Sequence, residues 1–284
     1  MPLSVTLDWL SFTFGEDTHE SANWLSIRAN IKSSVGSTPS NGYTSAYRTA
    51  QGLDVMWNAD RPEMGCHVDI GGTALRNIVE QQNVDQKALL VEICNAGGKF
   101  SRLDIAKDLR GQQNDLKAVY ASFEKKEHTG TARKIREWHD TDGGQTIYIG
   151  SPKSDKQVRV YDKANEQGLK NEYWYRLELQ CRRLVARSTA YHLAQQDNWG
   201  AVMDNVVLHM VDLPHVDAWK AFFSDNNPEI GTPLLEKQTD REKWIMTQVL
   251  PAVAKHYTEN LNSPAVALLR QLLDKIENNQ HTHD

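Results

Sequence analysis

Cysteine is scarce in this chain of 284 residues: Cys66, Cys94 and Cys181 stand far apart. Three thiols are too few for a disulfide framework, and no Cys-x-x-Cys pair offers a zinc site. That usage suits a reducing compartment, so a cytoplasmic protein is expected. Long apolar runs are missing, and no stretch approaches the ~18 residues of a membrane span. The opening MPLSVTLDWLSFTF lacks a basic start and carries Asp8, so it does not read as a signal peptide. Gly150-Ser-Pro-Lys-Ser154 looks like a phosphate-binding turn but lacks the glycine spacing of a nucleotide loop, and ATP binding is not expected. Cationic excess is absent too. Lys and Arg number 32 against 37 Asp and Glu, a net charge of −5, so any case for nucleic acid must come from local charge.

What is present is enough for a folded core. A hydrophobic fraction of 39% with 24% charged residues is globular rather than disordered. Val5–Phe14 alternates as a half-buried strand, though Asp8 and Trp9 fall on opposite faces of a strict period of two. Helical spacing follows over 19–31, then a Ser/Gly/Pro/Asn-rich loop over 33–42. Leu53–Trp57 and Cys66–Ile70 read as strands; the second ends at Gly71-Gly72, where Thr73 can cap a helix. Asp85 starts another helix, stopped by Gly97-Gly98. Strands are then predicted at 102–108, 135–138, 146–149, 158–161 and 174–181, with a helix over 115–125. Beyond Leu184 the pattern is helical only, over 184–196, 200–210, 216–223, 240–258 (broken by Pro251) and 264–278. The expected fold is α+β: an antiparallel-sheet body over residues 1–185 with flanking helices, then an all-helical region over 186–284 for packing, DNA recognition or partner binding.

The strands of residues 101–183 carry dense charge on one face. Alternation sets Arg102, Asp104, Ala106 and Asp108 against Leu103 and Ile105, and Arg176, Glu178, Gln180 and Arg182 against Leu177, Leu179 and Cys181. Gln157, Arg159, Tyr161 and Lys163 likewise oppose Val158 and Val160. One such strand is an ordinary solvated face. Three sharing the pattern suggest a polar site on rigid elements. Its chemistry would suit a phosphodiester: carboxylates hold a hard divalent cation, Arg and Lys neutralise phosphate oxygens, and a tyrosine can attack phosphorus.

At these residues the chain resembles the replication initiation factor family, the trans-acting Rep proteins of rolling-circle plasmids and phages with related relaxases. The likeness lies in Ser-Arg-Leu-Asp-Ile-Ala-Lys-Asp (101–108), Thr-Ile-Tyr-Ile-Gly-Ser-Pro-Lys-Ser (146–154), Val-Arg-Val-Tyr-Asp-Lys-Ala-Asn-Glu (158–166) and Tyr-Arg-Leu-Glu-Leu-Gln-Cys-Arg (175–182). It implies a nickase that cuts one origin strand, stays linked to the 5′-phosphate through tyrosine and leaves a 3′-hydroxyl primer. Carried over, Asp104, Asp108 and Glu178 would hold Mg²⁺ or Mn²⁺, with Arg102, Arg176 and Arg182 around them. Tyr161 is the first choice of nucleophile, in the Tyr-Asp-Lys motif with Arg159 and Lys163 beside it, and Tyr148 the reserve. Implied partners are origin DNA, single-stranded or supercoiled, a host helicase or polymerase, and a second copy in a homodimer. A second class of rolling-circle nickase binds metal through His-hydrophobic-His; here the only His-x-His is His281-Thr-His283, at a terminus.

Residues 131–185 hold eleven Lys or Arg and eight Asp or Glu, a local +3 in a chain of −5. Arg133, Lys134, Arg136, Lys153, Lys156 and Lys170 could contact DNA backbone there, and Tyr173-Trp174-Tyr175 could stack on bases. His67 and His139 read as structural or surface residues, and Trp199, Trp219 and Trp244 as core. Two alternatives stand beside the nickase: a DNA-binding replication or transcription regulator that does not cut, and a relaxase for conjugative transfer with the same chemistry.

Overall fold

The computed structural model describes residues 3–15, 35–139, 141, 143–223 and 266–267. The helices expected over 19–31 and 240–258, most of that over 264–278, Trp244 and the His281/His283 pair lie outside the described residues. Contacts divide the chain into a unit Met1–Leu234 and a unit Leu235–Asp284. Every element below belongs to the first.

Its frame is one sheet. The strands are β1 (Val5–Phe14), β2 (Val35–Gly36), β3 (Ser45–Arg48), β4 (Leu53–Trp57), β5 (Cys66–Gly71), β6 (Lys99–Arg110), β7 (Ile135–His139), β8 (Gln145–Ile149), β9 (Lys156–Asp162) and β10 (Trp174–Arg182). Their order is β2-β3-β4-β5-β1-β6-β10-β9-β8-β7, and the neighbours in it run antiparallel. The antiparallel body with flanking helices is therefore observed. The order also reads as two matching halves. In each, the first strand lies at the centre of the sheet, the last lies beside it, and a helix follows that last strand.

The helices are α1 (Gly72–Gln82), α2 (Gln86–Asn95), α3 (Leu116–Glu124), α4 (Lys163–Glu166), α5 (Arg183–Gln195), α6 (Trp199–Met210) and α7 (Asp217–Lys220). Asp85 caps α2 by accepting from the Ala88 amide at 3.0 Å, and Asp115 caps α3 from Lys117 and Ala118. Thr73 is no cap. Helix α1 begins two residues earlier than that cap would allow, with Gly71 at the N-cap, because β5 runs directly into it. A side chain at Gly72 would crowd Asp8, whose carbonyl oxygen would lie 3.0 Å from its Cβ.

The core lies on one face of the sheet. Leu103, Ile105, Leu177, Leu179, Val158 and Val160 are completely buried there. Helix α5 packs on β6 and α2 packs on α5. At ~1.5–3 kcal/mol for each fully buried large apolar side chain, this layer carries most of the stabilisation. Lys107 shares that face by register and is buried, its charge met by an ion pair with Asp204 of α6.

Candidate active site

The opposite face collects the charged residues. β10 aligns Arg176 with Asp108, Glu178 with Ala106, Gln180 with Asp104 and Arg182 with Arg102. β9 aligns Tyr161 with Arg176 and Arg159 with Glu178, and β8 adds Thr146 beside Tyr161 and Tyr148 beside Arg159. Cross-strand partners project from the same face, so the alternation expected from sequence places these residues together. β1 contributes through a β-bulge. It pairs Leu7 with Ile105 and next Trp9 with Asp104, passing over Asp8. Asp8 and Trp9 thereby both reach the polar side: Asp8 meets Arg176, and the Trp9 indole donates to Asp69 at 2.5 Å.

A cavity of about 710 Å³ opens on this face. Asp8, Trp9, Arg102, Asp108, Arg110, Tyr148, Arg159, Tyr161, Lys163, Trp174 and Arg176 are among its walls. Cations sit over aromatic rings around it: Arg110 lies 3.5 Å from the Trp174 ring centre, Arg102 4.1 Å from Trp9, and Lys163 5.5 Å from Tyr161. Such stacking costs a guanidinium no hydrogen-bond donors, and Arg102 still donates to Asp104 while lying over Trp9.

The carboxylates lie at two depths. Asp104 and Glu178 are fully buried and do not line the cavity. Asp104 accepts from Arg102 at 2.6 Å and Gln180 at 3.1 Å; Glu178 pairs with Arg159 and accepts from the Tyr161 hydroxyl at 3.4 Å. Asp108 takes a bidentate grip from Arg176 at 2.7 and 2.9 Å, and Asp8 takes the third guanidinium nitrogen at 2.6 Å. Among the described residues no group of three or more His, Cys, Asp or Glu side chains is placed to hold a metal. Asp104, Asp108 and Glu178 each form a salt bridge here, with Arg102, Arg176 and Arg159 respectively. Asp8 and Asp108 are the two of these carboxylates that reach the cavity wall.

Burial pushes the Asp108 carboxyl up, but the hydrogen bonds and charge of Arg176 outweigh it and hold the group below its ordinary value. Burial works against the Arg176 charge too, yet Asp108 and Asp8 keep it more firmly protonated than a free arginine. The Tyr161 hydroxyl is raised well above an ordinary phenol, chiefly by burial, with Arg176 opposing and Glu166 and Asp8 adding.

Of the remaining expected residues, Arg182, Lys153 and Lys156 lie outside the cavity. Arg182 donates to the Pro152 and Ser154 carbonyls and so holds the loop over 150–154 against β10. Lys153 is exposed on that loop and Lys156 is half-buried, its ammonium pKa lowered by burial. Lys163 is not a strand residue: Asp162 caps α4 by accepting from the Asn165 amide at 2.9 Å, and Lys163 opens that helix still beside Tyr161. His67 is buried against Thr13 at 2.8 Å, with its pKa lowered by burial, and His139 is exposed beside Glu137. Sequence reasoning missed Asp8, Trp9 and Arg110 as site residues. For Asp8 the available signal was the single charged residue in an otherwise uncharged strand.

The replication initiation factor family model matches residues 98–275. Among solved structures, the rolling circle replication initiator protein from Geobacillus stearothermophilus aligns with a TM-score of 0.66 and 24% identity over 74% of this chain and 86% of that one, a likeness of fold. No curated protein matches the sequence.

Proposed function

This chain belongs to the replication initiation factor family, and from that premise we propose that it initiates rolling-circle replication by nicking one origin strand. The observation that carries the proposal is two tyrosines, Tyr148 and Tyr161, on an arginine-lined cavity to which β1, β6, β8, β9 and β10 contribute. In the reaction a phenol oxygen bonds to phosphorus as the bond to the 3′ oxygen breaks. The phenol gives up its proton, the departing 3′ oxygen gains one, and the 5′-phosphate stays on the enzyme. Arg102, Arg159 and Lys163 would neutralise the charge growing on the phosphate oxygens. Arg176 would keep Asp8 and Asp108 in place. The proposal includes Mg²⁺ or Mn²⁺, which Asp8 and Asp108, the carboxylates at the cavity wall, would hold and which would offset charge on the phosphate.

Between the tyrosines, accessibility favours Tyr148. Tyr161 is 8% exposed, its hydroxyl faces Glu178 and burial raises its pKa; all three oppose its acting as an oxyanion nucleophile. Tyr148 is half-buried on the cavity wall, with the Arg136 guanidinium 5.2 Å from its ring. On this ground the proposal takes Tyr148 as the nucleophile and Tyr161 as a positioning residue for Glu178. Labelled DNA carrying the cognate origin, single-stranded or supercoiled, with Mg²⁺ or Mn²⁺ tests this. A protein-linked 5′ band should appear with wild type and Tyr161→Phe and vanish with Tyr148→Phe. Loss only in Tyr161→Phe would return the role to that residue. Cleavage without a linked band would make water the nucleophile, and salt-sensitive binding without cleavage would support the regulator.

A further inference from the structure

We infer that Trp138 is a stacking platform for an unpaired base of the DNA strand bound at this site; the inference rests on the cavity being a DNA site. Trp138 lies on β7, the edge of the sheet. It pairs with Thr146, which pairs with Tyr161, which pairs with Arg176. The indole therefore belongs to the cavity face, in one row with residues that line the cavity. It is 65% exposed, whereas Trp199 and Trp219 are buried and Trp57 is 38% exposed. An indole left this open on a sheet edge forgoes most of the burial that normally keeps tryptophan in a protein.

The neighbouring row runs Arg136, Tyr148, Arg159 across the same three strands. Cations for the backbone thus lie beside an open aromatic ring, the combination that binds single-stranded nucleic acid with little sequence preference. A duplex cannot use such a ring, because each base face inside it is already covered by its neighbours. An unpaired base can. The position next to the Tyr148 row would fix the strand as it enters the cavity.

Binding of a fluorescein-labelled oligothymidylate 15-mer by the full chain, in EDTA so that no cleavage occurs, tests this apart from nicking. Wild type should bind the single strand with quenching of tryptophan fluorescence. Trp138→Ala should bind on the order of tenfold more weakly, and Trp138→Phe should recover most of the loss. The same oligomer annealed to oligodeoxyadenylate should bind wild type and Trp138→Ala alike. Equal single-strand affinity for wild type and Trp138→Ala, or no binding of the single strand by wild type, overturns the inference. A chain that binds in this pattern yet never nicks would leave the inference standing and remove the nickase reading.

Discussion

Replacing Arg176 by methionine keeps an unbranched stem and removes the guanidinium whose charge joins β1, β6 and β10. Three nitrogens are lost as donors: two to Asp108 at 2.7 and 2.9 Å and one to Asp8 at 2.6 Å. The Arg176 side chain is 11% exposed and each carboxylate 23%, so the variant leaves two carboxylates unpaired and partly buried. Breaking a buried pair from one side costs about 3–5 kcal/mol, and the partial exposure here puts the effect near 3. For a folded unit of this size, ~2–4 °C is lost per kcal/mol, so thermal unfolding followed by circular dichroism should fall by roughly 6–12 °C. Adding Asp8→Asn and Asp108→Asn to Arg176→Met should recover a substantial part of that loss, because no charge is then stranded. A midpoint within ~2 °C of wild type in Arg176→Met, or a further fall in the triple variant, would refute the ion-pair account of this face.

Two further expectations concern pH and backbone. The folded Asp108 carboxyl lies below its ordinary value, so its stabilisation is complete above the unfolded value of ~3.9 and is lost as pH falls through the folded one; the urea midpoint of Asp108→Asn should trail wild type at pH 7 and the gap should narrow progressively as pH is lowered below ~3.9, and a constant gap would contradict this. Gly65 has φ +73°, and a Cβ there would sit 1.9 Å from the Phe14 carbonyl oxygen, so Gly65→Ala should cost about 2 kcal/mol or more. Gly143 has φ +84° with nothing within 4 Å, so Gly143→Ala should cost clearly less by the same unfolding measurement.

Much of the sheet was legible because its inner strands alternate cleanly: β1 and β4 have the expected bounds, and β6, β9 and β10 extend theirs by a few residues. β2 and β3 were not assigned. They are short, one lies in a Ser/Gly/Pro/Asn-rich stretch, and edge strands need no apolar face to pair. Period-two reasoning brought Arg102, Asp108, Arg159, Tyr161 and Arg176 to one face, but alternation tells side and not depth. Glu178 and Asp104 lie beneath their arginines rather than in the cavity, since the long side chains of Arg159 on β9 and of Arg102 two residues along β6 cover them. Asp8 escaped for another reason. A bulge breaks the alternation at one residue, and only the pairing partner shows where the break falls. Lys163 was read as strand because the cap at Asp162 turns the chain within one residue.

The central claim is covalent attachment of DNA through a tyrosine of this face, and the adduct itself tests it most directly. Wild type incubated with a suicide single-stranded origin oligonucleotide would be digested with trypsin and nuclease, and the peptide carrying the residual nucleotide mass sequenced by mass spectrometry. The account predicts the modification on Tyr148, in the peptide that contains Thr146-Ile-Tyr-Ile-Gly150. Modification at a tyrosine outside the cavity, or cleaved DNA with no modified peptide, would contradict it.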